Sequence, residues 1–171
     1  MKKEILYFMF FGLIATNIHA QKETVKIGNV EWATCNVGAE KQTDYGSFLT
    51  WDEAQKSCPE GWRLPKKQEY DDLIKQFDGG VWWTLDSVEG RQFNEIGEEG
   101  KGLFFPAGGF KEPSSDSIQY QKTCGPYWTE TDFDDSFAFY LYTFANGSFT
   151  TLGDNHYGKS YKFMVRCVKS E

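Results

Sequence analysis

The chain has 171 residues, 17 of them Gly and 5 Pro, with 15 Phe, 9 Tyr and 6 Trp and a formal net charge of −7. So many aromatics exclude a disordered chain, and a composition not dominated by Ala, Leu and Glu excludes a coiled coil. The acidic balance leaves no basic surplus to neutralise phosphates, which argues against a nucleic-acid partner.

Residues 1–20 have the layout of a cleavable secretory signal. Lys2 and Lys3 form a basic start, residues 5–15 are an apolar run holding Phe8, Phe10, Phe11, Leu13 and Ile14, and the small Ala20 precedes Gln21. The run is about half of the ~20 residues a membrane span needs, which opposes a retained anchor. The expectation is a signal peptide over 1–20, one domain over 21–171 and no membrane span after cleavage. Removing two Lys and one Glu from 18 basic and 25 acidic side chains leaves 16 and 24, a net of −8 on 151 residues. A chain of that length buries roughly two-thirds of its unfolded surface around one core.

Residues 25–32 read as one or two short strands around a Gly28-Asn29 turn. Thr50-Trp51-Asp52-Glu53 is a capping box, and Trp51, Ala54 and Cys58 then follow at i, i+3 and i+7 on one helical face until Pro59. A second helix starts with Pro65 at its first position, places Tyr70, Leu73, Ile74 and Phe77 on one face, and ends at Gly79-Gly80. From Val81 onward strands and loops dominate. An apolar run over 103–110 is broken by Pro106 and two glycines. Residues 127–131, 137–144, 149–152 and 161–168 are β-like, with Asn146-Gly147 as a hairpin turn. In the last strand Tyr161, Phe163, Val165 and Cys167 share a face. Two early helices and late antiparallel strands make the class α+β, with a core set of Trp51, Tyr70, Phe77 and Phe163.

Cys35, Cys58, Cys124 and Cys167 all lie beyond the leader, and an even count in an exported chain favours two disulfides. Their spacings of 23, 66 and 43 hold no close pair of the kind a zinc ribbon needs. Three connectivities are open. Inward positions on a helix and on the final strand favour Cys58 with Cys167, which leaves Cys35 with Cys124.

Several strings together resemble a known family. They are Trp32-Ala33-Thr34-Cys35-Asn36-Val37-Gly38, Tyr45-Gly46, Trp51-Asp52-Glu53-Ala54 and Cys58-Pro59-Glu60-Gly61-Trp62-Arg63-Leu64-Pro65. Phe105-Pro106-Ala107-Gly108-Gly109, Tyr127-Trp128-Thr129-Glu130 and Val165-Arg166-Cys167-Val168 continue the series. In this order they are similar to the Fibrobacter succinogenes major paralogous domain family, over nearly the whole chain after residue 20. The same strings resemble, more distantly, the C-type lectin-like fold, whose Trp-x-x-Ala-x-x-x-Cys helix bridges to the last strand. Arg63-Leu64-Pro65 with Glu69-Tyr70 is similar to the second-helix start of sulfatase-modifying-factor domains, which share that fold. The resemblance implies an exported or surface-associated bacterial protein with a twisted antiparallel sheet, long loops and two disulfides. It carries over no catalytic residue.

Candidate site residues follow from side-chain chemistry. Trp82, Trp83, Tyr120, Tyr127 and Trp128 offer flat rings for sugar faces, although aromatics in a small β-rich domain mostly fill its core. Trp82-Trp83 is the best exposed pair, since neighbours on a strand point to opposite faces. Asp132, Asp134 and Asp135 offer oxygen ligands for calcium, but lack the glycine and closing Glu of a known loop, so a solvated turn is favoured. Glu112-Pro113-Ser114 only partly matches a lectin signature and stands in the wrong order. For catalysis, Glu130, Asp132 and Asp154 could be paired, yet 24 acidic residues supply such pairs by chance. His156 reads as a loop residue, and a Cys–His nucleophile needs a thiol outside a disulfide.

The ligand-facing set is therefore Trp82, Trp83, Trp128, Asp132 and Asp134, with no catalytic residue, metal or cofactor. The expected function is a non-catalytic binding module in the periplasm, at the cell surface or outside the cell, meeting a glycan or surface protein through a loop-rich face. The alternatives are a structural subunit of a surface assembly, and a hydrolase or sulfatase-modifying-type enzyme. Oligomeric state is left open.

Overall fold

The structure, a computed structural model, describes residues 23–93, 102–145, 149–150 and 156–170. The expected leader, the Asn146-Gly147 turn and Asp154 lie outside these residues, and only the backbone of His156 is described.

β1 (Thr24–Ile27) and β2 (Val30–Ala33) form the expected hairpin, with Gly28 at φ +59° in its turn. α1 (Trp51–Ala54) begins at the Thr50–Glu53 capping box, where Glu53 accepts from the Thr50 amide at 2.8 Å. The helix stops four residues before Cys58. Residues 55–57 continue as tighter turns, and the Ser57 hydroxyl takes the Ala54 carbonyl at 2.9 Å. β3 (Trp62–Arg63) leads into α2 (Lys67–Gln76). Pro65 stands before that helix rather than at its first position. Extended Lys66 is the cap, its amide donating to Glu69 at 2.6 Å, and the Pro65 carbonyl accepts from the Glu130 amide.

The remaining strands are β4 (Val81–Leu85), β5 (Val88–Phe93), β6 (Leu103–Pro106), β7 (Phe110–Lys111), β8 (Ile118–Gln119), β9 (Cys124–Asp132), β10 (Phe137–Phe144), β11 (Phe149–Thr150), β12 (His156–Gly158) and β13 (Val168–Lys169). The chain is thus α+β with the β part dominant. Instead of one twisted sheet, the described strands make four small antiparallel sheets: β1-β2-β13-β3, β4-β5-β6, β7-β8, and one built on β10. β9 lies along β10, while β11 and β12 pair with its two ends. Strands this short, interrupted by glycines and Pro106, cannot share one continuous ladder.

Aromatic rings join the sheets. Trp32 packs on Tyr70 at 5.3 Å, Phe105 meets Tyr127 edge-on at 4.9 Å, and Trp128 stacks on Phe163 at 4.2 Å. Tyr70 and Phe163 of the expected core set are fully buried, whereas Trp51 and Phe77 are half-buried.

The C-terminal segment departs most from its predicted pattern. Only Val168–Lys169 is strand, and residues 162–164 make single bridges to Lys111, Leu49 and Tyr127. Residues 163–168 are all buried, so no outward face alternates with the inward one. The reason is Arg166, whose guanidinium lies inside. Its Nη1 donates to the Ala33 and Thr34 carbonyls, its Nη2 to the Phe104 carbonyl and its Nε to Asn36 Oδ1. The Phe105 ring lies 4.8 Å from its central carbon.

Cys58 and Cys167 form the expected disulfide, with Cα atoms 6.0 Å apart across 109 residues. Cys35 and Cys124 do not pair, which corrects the second bridge. Each thiol is turned to a carbonyl of its own local turn, Cys35 to Glu40 and Cys124 to Tyr120, both at 3.8 Å. Burial raises the Cys124 thiol pKa, so the sulfur behaves as a small apolar group.

Two outcomes follow. Replacing Cys58 and Cys167 together by Ala removes a constraint on a loop of 109 residues, for which loop-closure entropy gives about 4–5 kcal/mol; urea unfolding under non-reducing conditions measures it. Glu69 receives the Arg63 guanidinium as a fork at 2.7 and 2.8 Å. Burial raises its pKa, but Arg63 and the Lys66 amide outweigh burial and leave the carboxyl below its ordinary value. Its stabilisation is therefore present above the unfolded glutamate pKa of about 4.3 and is lost as pH falls through the depressed folded value. Glu69→Gln should destabilise the domain at pH 7 and flatten the acid limb of a stability–pH profile.

Candidate functional site

The expected ligand-facing residues fall in three different settings. Trp128 is fully buried, with its indole nitrogen donating to the Leu49 carbonyl at 2.8 Å and its ring stacked on Phe163. It is a core residue, and its place in the site is corrected: an inward position on β9 leaves no ring face for a ligand. Tyr127 is likewise buried, its hydroxyl donating to the Pro106 carbonyl at 2.8 Å. Tyr120 is 66% exposed and stacks on Phe110.

Asp132 is the last residue of β9, paired with Ala138, and Asp134 lies on the turn to β10. Asp134 Oδ1 accepts the Ser136 and Phe137 amides, both at 2.8 Å, and so shapes the turn. Asp132 faces Lys159 at 3.7 Å. The Lys159 ammonium in turn sits 4.3 Å over the Trp51 ring and donates to the Asp134 carbonyl. Among the described residues no group of three or more His, Cys, Asp or Glu side chains could hold a metal ion.

Trp82 and Trp83 occupy the β4–β5 hairpin. The hairpin pairs Leu85 with Val88, so its connection is only Asp86-Ser87. Both residues have positive φ, 47° and 68°, as a type I′ turn requires. This short connection sets the register: Thr84 opposes Glu89, Trp83 opposes Gly90 and Trp82 opposes Arg91.

The two tryptophans point to opposite faces. On one face Glu89 accepts the Trp82 indole N–H and the Thr84 hydroxyl, each at 3.0 Å. The Tyr45 phenol has its pKa raised, first by burial and then by the Glu89 charge. On the other face Val81 and Trp83 are 42% and 46% exposed. Gly90 lies beneath Trp83 because no side chain fits there. A Cβ at that position would come 2.4 Å from the Phe105 carbonyl oxygen and 2.5 Å from the Phe104 ring.

Arg91 sets the depth of the hairpin. It is buried and its Nε donates to the Gly79 carbonyl at 2.7 Å, tying β5 to the end of α2. The structure therefore brings together Trp82, Thr84 and Glu89 on one face of the hairpin, sets Trp83 on the other, and leaves Trp128, Asp132 and Asp134 elsewhere. Glu89 and Thr84 were missed from sequence. The available signal was the pairing of a Trp-x-Thr strand with Glu89 across a two-residue connection, but Asp-Ser is a weak turn signature. The arrangement offers a flat indole, an ordered carboxylate and a hydroxyl on a rigid two-strand ribbon.

The positive φ of Ser87 gives a direct test of the hairpin. Ser87→Gly should raise stability by about 1 kcal/mol by relieving a left-handed non-glycine residue, read as a higher urea midpoint with an unchanged slope.

The family model of the Fibrobacter succinogenes major domain matches residues 14–169. No curated protein and no solved structure matches the chain.

Proposed function

The chain belongs to the Fibrobacter succinogenes major domain family, and from that premise we propose that it is an exported, non-catalytic binding module of the bacterial cell envelope that recognises a glycan or a protein. The observation that carries this reading is the half-exposed Trp83 beside Val81 on a hairpin whose opposite face holds the Trp82–Glu89–Thr84 cluster. Large apolar side chains exposed together on a soluble domain mark an interaction surface. Aromatic rings supply the most binding area per ordered side chain.

A C-type lectin-like architecture is part of the proposal. The bridge from the segment after α1 to the residue preceding the last strand supports it, as does the loop-rich connection between small sheets. Export is supported by the leader-like composition of residues 1–20. No helix among the described residues is long and apolar enough to cross a membrane.

A second reading, a structural subunit of a surface assembly, is favoured by β4 standing at the edge of its sheet. Size-exclusion and cross-linking on native envelopes separate the two, because a subunit runs in a large complex.

For the binding module, a glycan array and an envelope pull-down with the mature protein should return a ligand. Trp83→Ala should weaken that ligand at least tenfold while leaving the fold intact, since the ring is already half in water. A blank array and pull-down with a positive hydrolase assay would sink the reading.

A further inference from the structure

The β4 edge has the geometry of a docking strand. In the order β4-β5-β6, β4 is outermost, and nothing among the described residues pairs with its outer side. The two-residue connection makes Leu85 and Val88 a hydrogen-bonded pair, so parity turns the amides and carbonyls of Val81, Trp83 and Leu85 toward β5. Those of Trp82 and Thr84 are then turned outward, away from β5. Natural edge strands are usually blunted by charged side chains, by proline or by a bulge. β4 reads Val-Trp-Trp-Thr-Leu and its pairing with β5 is regular.

We propose that β4 accepts an extended segment of another protein as an added strand, with apolar side chains alternating with basic ones. The proposal rests on the binding-module reading and names its ligand class. Side chains opposite Val81, Trp83 and Leu85 lie on the apolar face of the ribbon, next to the exposed indole. Side chains opposite Trp82 and Thr84 lie on the Glu89 face. The described charges on the hairpin itself are Glu89 and Asp86, both negative, and Arg91, whose Nε is turned inward to Gly79. A basic residue is therefore matched on that face. The same charges disfavour a second copy, because each copy would bring Asp86, Glu89 and a net charge of −7 to the seam. Main-chain bonds supply affinity and the alternating side chains supply selectivity.

Thr84→Pro separates strand addition from ring stacking. Proline at an outward-facing edge position removes the N–H that an added strand would use, along with the hydroxyl bond to Glu89, and the β4–β5 ladder keeps its bonds. Thr84→Val is the control, since it loses the hydroxyl but keeps the N–H. The probe is a capped nine-residue peptide alternating valine and lysine, with a valine–glutamate counterpart. Binding is followed by tryptophan fluorescence, and amide hydrogen exchange is read at single residues.

The expected result is binding of the valine–lysine peptide to wild type and to Thr84→Val, with at least tenfold weaker binding to Thr84→Pro and to wild type for the glutamate peptide. The Trp82 and Thr84 amides should gain protection while those of Trp83 and Leu85 stay as they were. This exchange pattern in wild type decides the matter if Thr84→Pro fails to fold. Binding that survives Thr84→Pro but is lost in Trp83→Ala, without new protection at Trp82 and Thr84, overturns strand addition and leaves a ring-stacked ligand such as a glycan. A wild-type dimer that Thr84→Pro dissociates overturns the partner in favour of a second copy. A failure of both peptides overturns the inference, and only a blank array and pull-down as well would end the binding-module reading.

Discussion

The buried guanidinium of Arg166 is the contact around which the domain closes. It is completely inaccessible, and four of its donors reach acceptors from two distant stretches of chain: Ala33 at the end of β2 with Thr34 and Asn36 just after it, and Phe104 in β6. Burying such an ion costs several kcal/mol. Hydrogen bonds to a charged group return about 1.5–3 kcal/mol each, so four of them hold the charge inside. No carboxylate is needed among those partners. Burial lowers the guanidinium pKa, while the neighbouring Tyr127 and Tyr70 phenols oppose that shift. The same burial pushes both phenols above their ordinary values. Of the two phenols, that of Tyr70 has no hydrogen-bond partner among the described residues, a local cost accepted to keep its ring against Trp32 and Phe105.

Cys167 follows immediately, and its bridge to Cys58 fastens the same segment on its other side. Two adjacent residues thus join the beginning, middle and end of the chain. The candidate site depends on this clamp at one remove. Arg166 fixes the Phe104 carbonyl, β6 pairs with β5, and β5 carries β4 as its outer neighbour. With Arg91 anchoring β5 to Gly79 as well, the hairpin is held at its root and exposed toward its tip. A rigid base with an edge left unpaired among the described residues is the arrangement that strand addition requires.

Much of the local structure was legible because it is written in short-range chemistry. The Thr50 capping box, the Tyr70 and Leu73 face of α2 and the β1–β2 hairpin all depend on neighbours within about four residues. Cys58 with Cys167 came out as expected although α1 ends at Ala54 and residues 163–168 do not alternate, because both positions still pack against the core. The second bridge failed because cysteine parity says nothing about distance, and Cys35 and Cys124 each settle on a local carbonyl. Trp128 failed for a related reason: an aromatic residue reads alike whether its strand faces core or solvent. Arg166 was invisible, since a charged residue at an alternating position reads as the outward side of a strand.

By itself, the sequence determined the α+β class, the family, the start of the first helix, the long disulfide and the presence of an aromatic pair at 82 and 83. These rest on local propensity, motif order and inward periodicity, all of which survive without knowledge of the partners. Tertiary structure alone decided which tryptophan faces water, which carboxylate meets Trp82 and which edge of which sheet stays open. Those outcomes depend on cross-strand register and on one buried cation choosing acceptors more than sixty residues away, and no local pattern encodes such a choice.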